Sequence, residues 1–214
     1  MAQGAAQGAR WRRRKEARPG EIEAAALECF AARGFAACSL DEIALRAGVT
    51  KGTLYLYFRS KEDLFKAVVR GALVARIVAL TETLSPSESA RDQLERLLAS
   101  WPALLAIPHL SALPKLIIAE AGNFPELARF YLDEVIARGR GAITSILRRG
   151  IRRGEFRRVD PETAFLAVIA PVLIAMVWKQ TFERLDGKAL DVEALARTHR
   201  AILLDGLLAG KGKP

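Results

Sequence analysis

An all-α chain is what the sequence predicts, on three observations. Apolar residues recur at three- and four-residue spacings along most of its length, no segment shows the apolar–polar alternation of a strand, and Pro and Gly punctuate the periodic stretches. At 214 residues, 51% hydrophobic and 27% charged, the chain can bury a substantial core and has the composition of an ordinary globular protein. The expected architecture is an N-terminal three-helix head containing a helix-turn-helix, followed by a larger helical body, with about nine helices in all. Expected boundaries are an arm over residues 1–19, a head over 20–66 and a body over 67–214.

Residues 1–9 are Met followed by Ala, Gly and Gln without a pattern, and Arg10, Trp11, Arg12, Arg13, Arg14 and Lys15 form a charge run, so the arm is expected to be disordered. From Glu21, residues Ile22, Ala26, Cys29 and Phe30 mark one face of a helix that Gly34 is placed to end. Ser39 stands three residues ahead of Glu42, the spacing of a capping box, and opens a second helix whose apolar face is Leu40, Ile43, Ala44 and Ala47. That helix stops at Gly48, and a short third one is expected from Lys51 to Phe58. Ser60 can cap a fourth, carrying Leu64, Phe65 and Val68 and continuing to about Leu84. Beyond Pro86, helices are expected near 88–106, 110–121, 125–153, 161–184 and 189–209.

The formal charge of +9 suits a polyanionic partner, although charge alone is weak evidence for one. Cys29 and Cys38 match no zinc spacing and are too few for a disulfide framework, so they are read as small buried apolar residues, a redox switch being the alternative. No apolar region of the secretory type follows the basic N-terminus, and a cytoplasmic location is expected. The longest apolar run, Ala164 to Trp178, is shorter than the roughly 20 residues a membrane-spanning helix needs and contains Pro171. It is read as a buried helix, and no membrane partner is expected. Two distant histidines, no nucleophile elbow, no phosphate loop and no metal-ligand spacing argue against an enzyme, so no catalytic residue, metal or cofactor is expected.

The segment Leu40 to Phe58 carries the functional signal. A DNA-reading helix-turn-helix needs a small residue where its helices touch, a Gly in the turn and an apolar anchor on the second helix. Ala44, Gly48 and Leu54 meet those needs in order. Leu54 and Phe58, four apart, can pack inward while Thr50, Lys51, Thr53 and Tyr57 lie on other faces and can reach bases or phosphates. Gly52 permits close backbone approach, and Tyr55 and Tyr57 offer hydroxyls to phosphate. Leu56 could touch a thymine methyl or stand in solvent.

Residues 34–65 (GFAACSLDEIALRAGVTKGTLYLYFRSKEDLF) closely resemble the DNA-binding domain of the tetracycline-repressor (TetR) family of bacterial regulators. The resemblance implies a homodimer whose recognition helices enter successive major grooves of a palindromic double-stranded operator. By position it implies Thr50, Lys51, Thr53 and Tyr57 at bases and nearby phosphates, Tyr55 and Lys61 on the backbone, and Ser39 with the start of the second helix at phosphate. Residues 113–139 resemble, less specifically, the C-terminal domain of one branch of that family. Whether the basic arm lies on DNA or is a solvated tail stays open.

In the family so resembled, the body dimerises through its last two long helices and encloses a pocket for a small-molecule effector. The sequence agrees: the helix near 161–184 is apolar around most of its circumference, more than packing within one subunit requires, and the helix near 189–209 adds a stripe of Leu190, Leu195, Ile202, Leu203 and Leu207. Candidate effector-binding residues are Trp101, Leu105, His109, Ile117, Glu120, Phe124, Tyr131 and Trp178, an apolar set with a few polar groups. The run Arg148, Arg149, Arg152, Arg153, Arg157 and Arg158 is read as the solvated basic end of a helix, not as a second DNA site. The function expected is a ligand-responsive transcriptional regulator, most plausibly a repressor; the alternative is a constitutive or nucleoid-associated DNA binder whose body only dimerises.

Overall fold

A computed structural model describes residues 2–85 and 87–208, with side chains from Arg18 onward. Among the described residues thirteen α-helical segments and no β-strand form, and the chain divides into two compact units between Val69 and Arg70. The helices outnumber the expected nine because several predicted ones are broken in the middle.

The N-terminal unit holds α1 (Ala2–Ala37), α2 (Leu40–Arg46), α3 (Lys51–Tyr55) and α4 (Lys61–Val69). Helical backbone begins at Ala2, well before the expected residue 21, because the Ala, Gln, Arg and Lys of that stretch are strong helix formers. The arm's charge run at 10–15 lies outside the residues whose side chains are described. Gly34 interrupts α1 as expected, with φ 81° and ψ 169°, a conformation that costs little only without a Cβ. The bend turns Phe35 into a triad with Phe30 and Phe65, ring centroids 5.5–5.6 Å apart. All three rings are at most 1% exposed, and each contributes about 1.5–3 kcal/mol by burial.

The same bend brings Cys29 and Cys38 to a Cα separation of 6.0 Å, and their sulfurs are bonded. Both are buried as expected, but reading them as an unbridged pair is incorrect. Nine residues of sequence separation say nothing of a bridge until the turn at Gly34 closes the distance.

The C-terminal unit begins with a π-helical turn, Arg70–Val74, and continues through α5 (Ala75–Glu82), α6 (Ala90–Ala99), α7 (Trp101–Leu105), α8 (Ala112–Glu120) and α9 (Pro125–Tyr131). A second π turn, Leu132–Ile136, leads into α10 (Ala137–Arg152), followed by α11 (Pro161–Thr181), α12 (Glu183–Asp186) and α13 (Val192–Leu207). The predicted helix at 88–106 splits at Ser100, two residues before Pro102, whose ring cannot donate to the preceding turn. Pro86 and the end of the last predicted helix, Ala209, lie outside the described residues. The core joins α6, α7, α10, α11 and α13 through Leu94, Leu98, Ile146, Leu147, Phe165, Val168 and Leu204.

α11 corrects the sequence reading in one respect. It runs for 21 residues and is long and apolar enough to cross a membrane by length and composition, although one such helix is weak evidence of that. The apolar surface in excess of what one subunit packs is as expected. Phe165, Val168, Val172, Ala175 and Met176 face the core, while Leu166, Leu173, Ile174 and Trp178 are exposed in the single chain.

The arginine run at the end of α10 is exposed as expected except at the half-buried Arg149, and three of its members also make contacts within the fold. Arg148 pairs with Glu162 at 2.6 Å, Arg149 donates to the fully buried Gln93, and Arg153 donates to the Glu88 carbonyl at 2.9 Å. These contacts fasten α10 to its neighbours.

Candidate nucleic-acid interface

The helix-turn-helix is assembled by local rules. Ser39 accepts the Glu42 N–H at 3.2 Å and so caps α2. Glu42's carboxylate pairs with Arg33 at 2.9 Å and Arg46 at 3.0 Å, and the Arg46 hydrogen bond, followed by that of Arg33, holds its carboxyl below the usual range. At the other end of α2 the Val49 N–H reaches the Ala44 carbonyl and the Gly48 N–H reaches that of Leu45, with Gly48 at φ 62°. This is a Schellman closure around a left-handed residue. Thr50 then caps α3, accepting the Thr53 N–H at 3.1 Å, and the two threonine hydroxyls share a 2.9 Å hydrogen bond.

The expected division of faces is present. Ala44, Leu54 and Phe58 are buried, whereas Thr50, Lys51, Gly52, Tyr55 and Leu56 are exposed and Thr53 and Tyr57 half-buried. α3 itself ends at Tyr55 rather than Phe58: Leu56 and Tyr57 donate to carbonyls three residues back, tightening the last turn. Lys51 makes an exposed 2.9 Å pair with Asp41, whose hydrogen bond and charge raise the lysine above its ordinary range. Asp41, ten residues away on another helix, carried no local signal in the sequence. Neither did Arg33 and Arg46, which add exposed positive charge beside α2.

Lys61 stands apart from the other candidates. Its ammonium donates to the carbonyls of Phe35, Ala36 and Cys38 at 2.8, 3.1 and 3.0 Å and lies 4.6 Å from the centre of the Phe35 ring. All three of its N–H donors are accounted for within the head, on carbonyls at and just after the end of α1.

The eight candidate effector residues do not form one cluster. Trp101 and Leu105 line a cavity of ≈ 10 Å³ with Pro171, Val172, Ala175, Val192, Leu195, Ala196 and His199. That is room for about one water. His199, which the sequence reading passed over, stacks on Trp101 with centroids 5.4 Å apart and meets the Val168 carbonyl at 3.3 Å. Tyr131 is buried away from solvent, which pushes its hydroxyl well above the ordinary tyrosine range. Ile117, Glu120 and Phe124 are half-buried, His109 is exposed at φ 59°, and Trp178 is 38% exposed with Phe182 against it.

A capped helix-turn-helix with a polar, exposed edge on its second helix, followed by a separate helical unit, defines a class of DNA-binding proteins. Comparison with known proteins narrows the class. The family model described as bacterial regulatory proteins, tetR family, matches residues 22–68, and that described as tetracyclin repressor-like, C-terminal domain, matches residues 84–192. The chain belongs to the tetracycline-repressor family of bacterial transcriptional regulators. It is similar to the transcriptional repressor KstR2 of Rhodococcus jostii, with 28% identity over 90% of this chain and 92% of that one. Among solved structures it resembles the ketosteroid transcriptional regulator KstR2 of Mycobacterium tuberculosis, at 25% identity and TM-score 0.66 over 89% of this chain and 95% of that one. The fold is also that of the regulator FadR from Bacillus subtilis, solved with stearoyl-CoA, at 22% identity and TM-score 0.66 over 87% and 97% of the two chains.

Proposed function

We propose that the chain is an effector-responsive repressor that binds a palindromic operator as a homodimer, with α3 in the major groove of each half-site. The observation that carries this reading is the exposed edge of α3 on a fully capped helix-turn-helix: Thr50, Lys51, Gly52 and Tyr55 face solvent, while Leu54 and Phe58 anchor the helix inward. Lys51 and Thr53 with Tyr57 would choose bases; Ser39 and Tyr55 would hold phosphates. Dimerisation would cover the apolar side chains that α11 and α13 expose, Leu166, Ile174 and Ile202 among them.

The effector we propose is a lipid-derived molecule of the steroid or long-chain acyl-thioester class. The names of similar proteins support it, one a ketosteroid regulator and another solved with stearoyl-CoA. Such a ligand lowers DNA affinity by linkage if it prefers a body conformation that does not fit the operator. Selection of bound sequences from random duplex DNA tests the first half. A palindromic consensus is expected, and sequence-independent retention would favour the constitutive binder. Titrating the selected complex with acyl-CoA and steroid thioesters tests the second half; release by none of them refutes the effector class.

A further inference from the structure

The chain's two cysteines close a ring around the part of the head on which the reading surface is built. Cys29 belongs to α1, and Cys38 immediately precedes Ser39, whose hydroxyl caps α2. Between them lie the Gly34 bend and Phe35, whose ring completes the aromatic triad. Three carbonyls of that ring, those of Phe35, Ala36 and Cys38, are gathered by Lys61. Both cysteines are at most 1% exposed. Two thiols sit at van der Waals rather than bonding separation, so opening the bond demands room in a closely packed corner.

We propose that Cys29 and Cys38 form a reversible thiol–disulfide site that sets how tightly the head holds DNA, with the bridged state the tighter binder. This rests on the head reading DNA as proposed above. Reduction requires a dithiol. Both sulfurs are shielded in the closed head, so the attack takes place when the corner around Gly34 opens locally: one thiolate of the dithiol then bonds to a cysteine sulfur and displaces the other cysteine as a thiolate, and its second thiol closes on the mixed disulfide. Two electrons and two protons pass to the protein, leaving two cysteine thiols and the reductant as a cyclic disulfide. An organic disulfide reverses the change, forming the Cys29–Cys38 bond and releasing two thiols.

The bond acts on DNA through α2. With it open, the side chain before Ser39 no longer holds to Cys29 of α1 while the Cys38 carbonyl stays on Lys61, and the start of α2 gains freedom. Asp41, the partner of Lys51, and Glu42, the partner of Arg33 and Arg46, lie in that first turn. Ordering them on the operator then costs free energy that the bridged head has already spent. A carboxylate oxygen of Glu42 and the two sulfurs lie within 4.8 Å of one another, the spacing of a three-ligand metal site. Bonded sulfurs offer no thiolate to a cation, and Glu42 is already paired with two guanidinium groups, so redox chemistry fits these three residues better.

The test uses the full chain and the duplex recovered by selection. Oxidised glutathione and dithiothreitol set the two states, and iodoacetamide labelling after unfolding counts thiols. None should label after oxidation and two after reduction. Operator affinity should fall at least three-fold on reduction and return on reoxidation, and a Cys29→Ala, Cys38→Ala chain should respond to neither reagent. Two labelled thiols after oxidation, or a change in wild-type affinity of less than three-fold, overturns the proposal, and this comparison needs no variant to fold. Should selection return no sequence in either state, the DNA-reading proposal fails and the coupling with it, while the thiol count still decides whether the pair is reversible.

Discussion

A single lysine ammonium, that of Lys61, serves three backbone carbonyls of the head. Replacing Lys61 with Met keeps most of the stem but removes the three hydrogen bonds to the carbonyls of Phe35, Ala36 and Cys38, and should cost about 1–3 kcal/mol of head stability, read as a shift in the urea midpoint. Because the ammonium is already engaged, the salt slope of DNA binding should change by much less than the roughly one unit expected on losing a phosphate contact. A full unit lost would return Lys61 to the interface. His199 gives a pH prediction. Burial, partly offset by the Val168 carbonyl, holds it below the ordinary histidine range. The unfolded chain therefore binds the proton first, and the stability contributed by the neutral ring is present above about pH 6.5 and lost as pH falls through the lower folded value. The melting temperature should drop between about pH 7.5 and pH 5.5, and drop less in His199→Phe, which keeps a ring against Trp101. At this scale legibility followed distance along the chain. Ser39, Gly48 and Ser60 act on neighbours a few residues away and were readable. Lys61 with Phe35, Lys51 with Asp41 and Cys29 with Cys38 meet only once the bend and the turn have formed.

Among the elements, helix identity was legible and helix continuity was not. The two π turns keep an apolar rhythm close to that of an α-helix, so 125–153 reads as one helix although Leu132–Ile136 widens it. The end of α10 shows a tighter constraint. Gly150 is buried beneath Phe156, and a Cβ built on it would overlap that ring. The chain folds back there, with the Glu155 and Phe156 N–H groups both reaching the Gly150 carbonyl at 2.9 and 3.2 Å and the Arg157 N–H reaching the Leu207 carbonyl at 2.8 Å. Gly150→Ala, favourable by helix propensity, should instead destabilise the body by about 1–3 kcal/mol through overpacking. Chemical denaturation of the full chain, followed by tryptophan fluorescence, measures it; a neutral or stabilised variant would show that Phe156 swings aside freely.

Over the whole molecule, the division into two units separates what reads from what is proposed to pair and sense. Ile174 is 59% exposed on α11 although one neighbouring face of that helix is packed in the core. Ile174→Asp should leave the helical circular dichroism intact, yield a monomer by light scattering, and weaken operator binding by a factor on the order of 100, since two linked heads become one. A dimeric variant would move the interface elsewhere. The division also has a bearing on the order of synthesis. The aromatic triad of the head is complete once Phe65 has been added, and its partners lie no more than a few tens of residues upstream. Contacts this local close quickly, and N-terminal units fold first as a chain leaves the ribosome. A nascent chain is therefore expected to display its groove-facing edge while the faces that would join it to a second copy have yet to be translated.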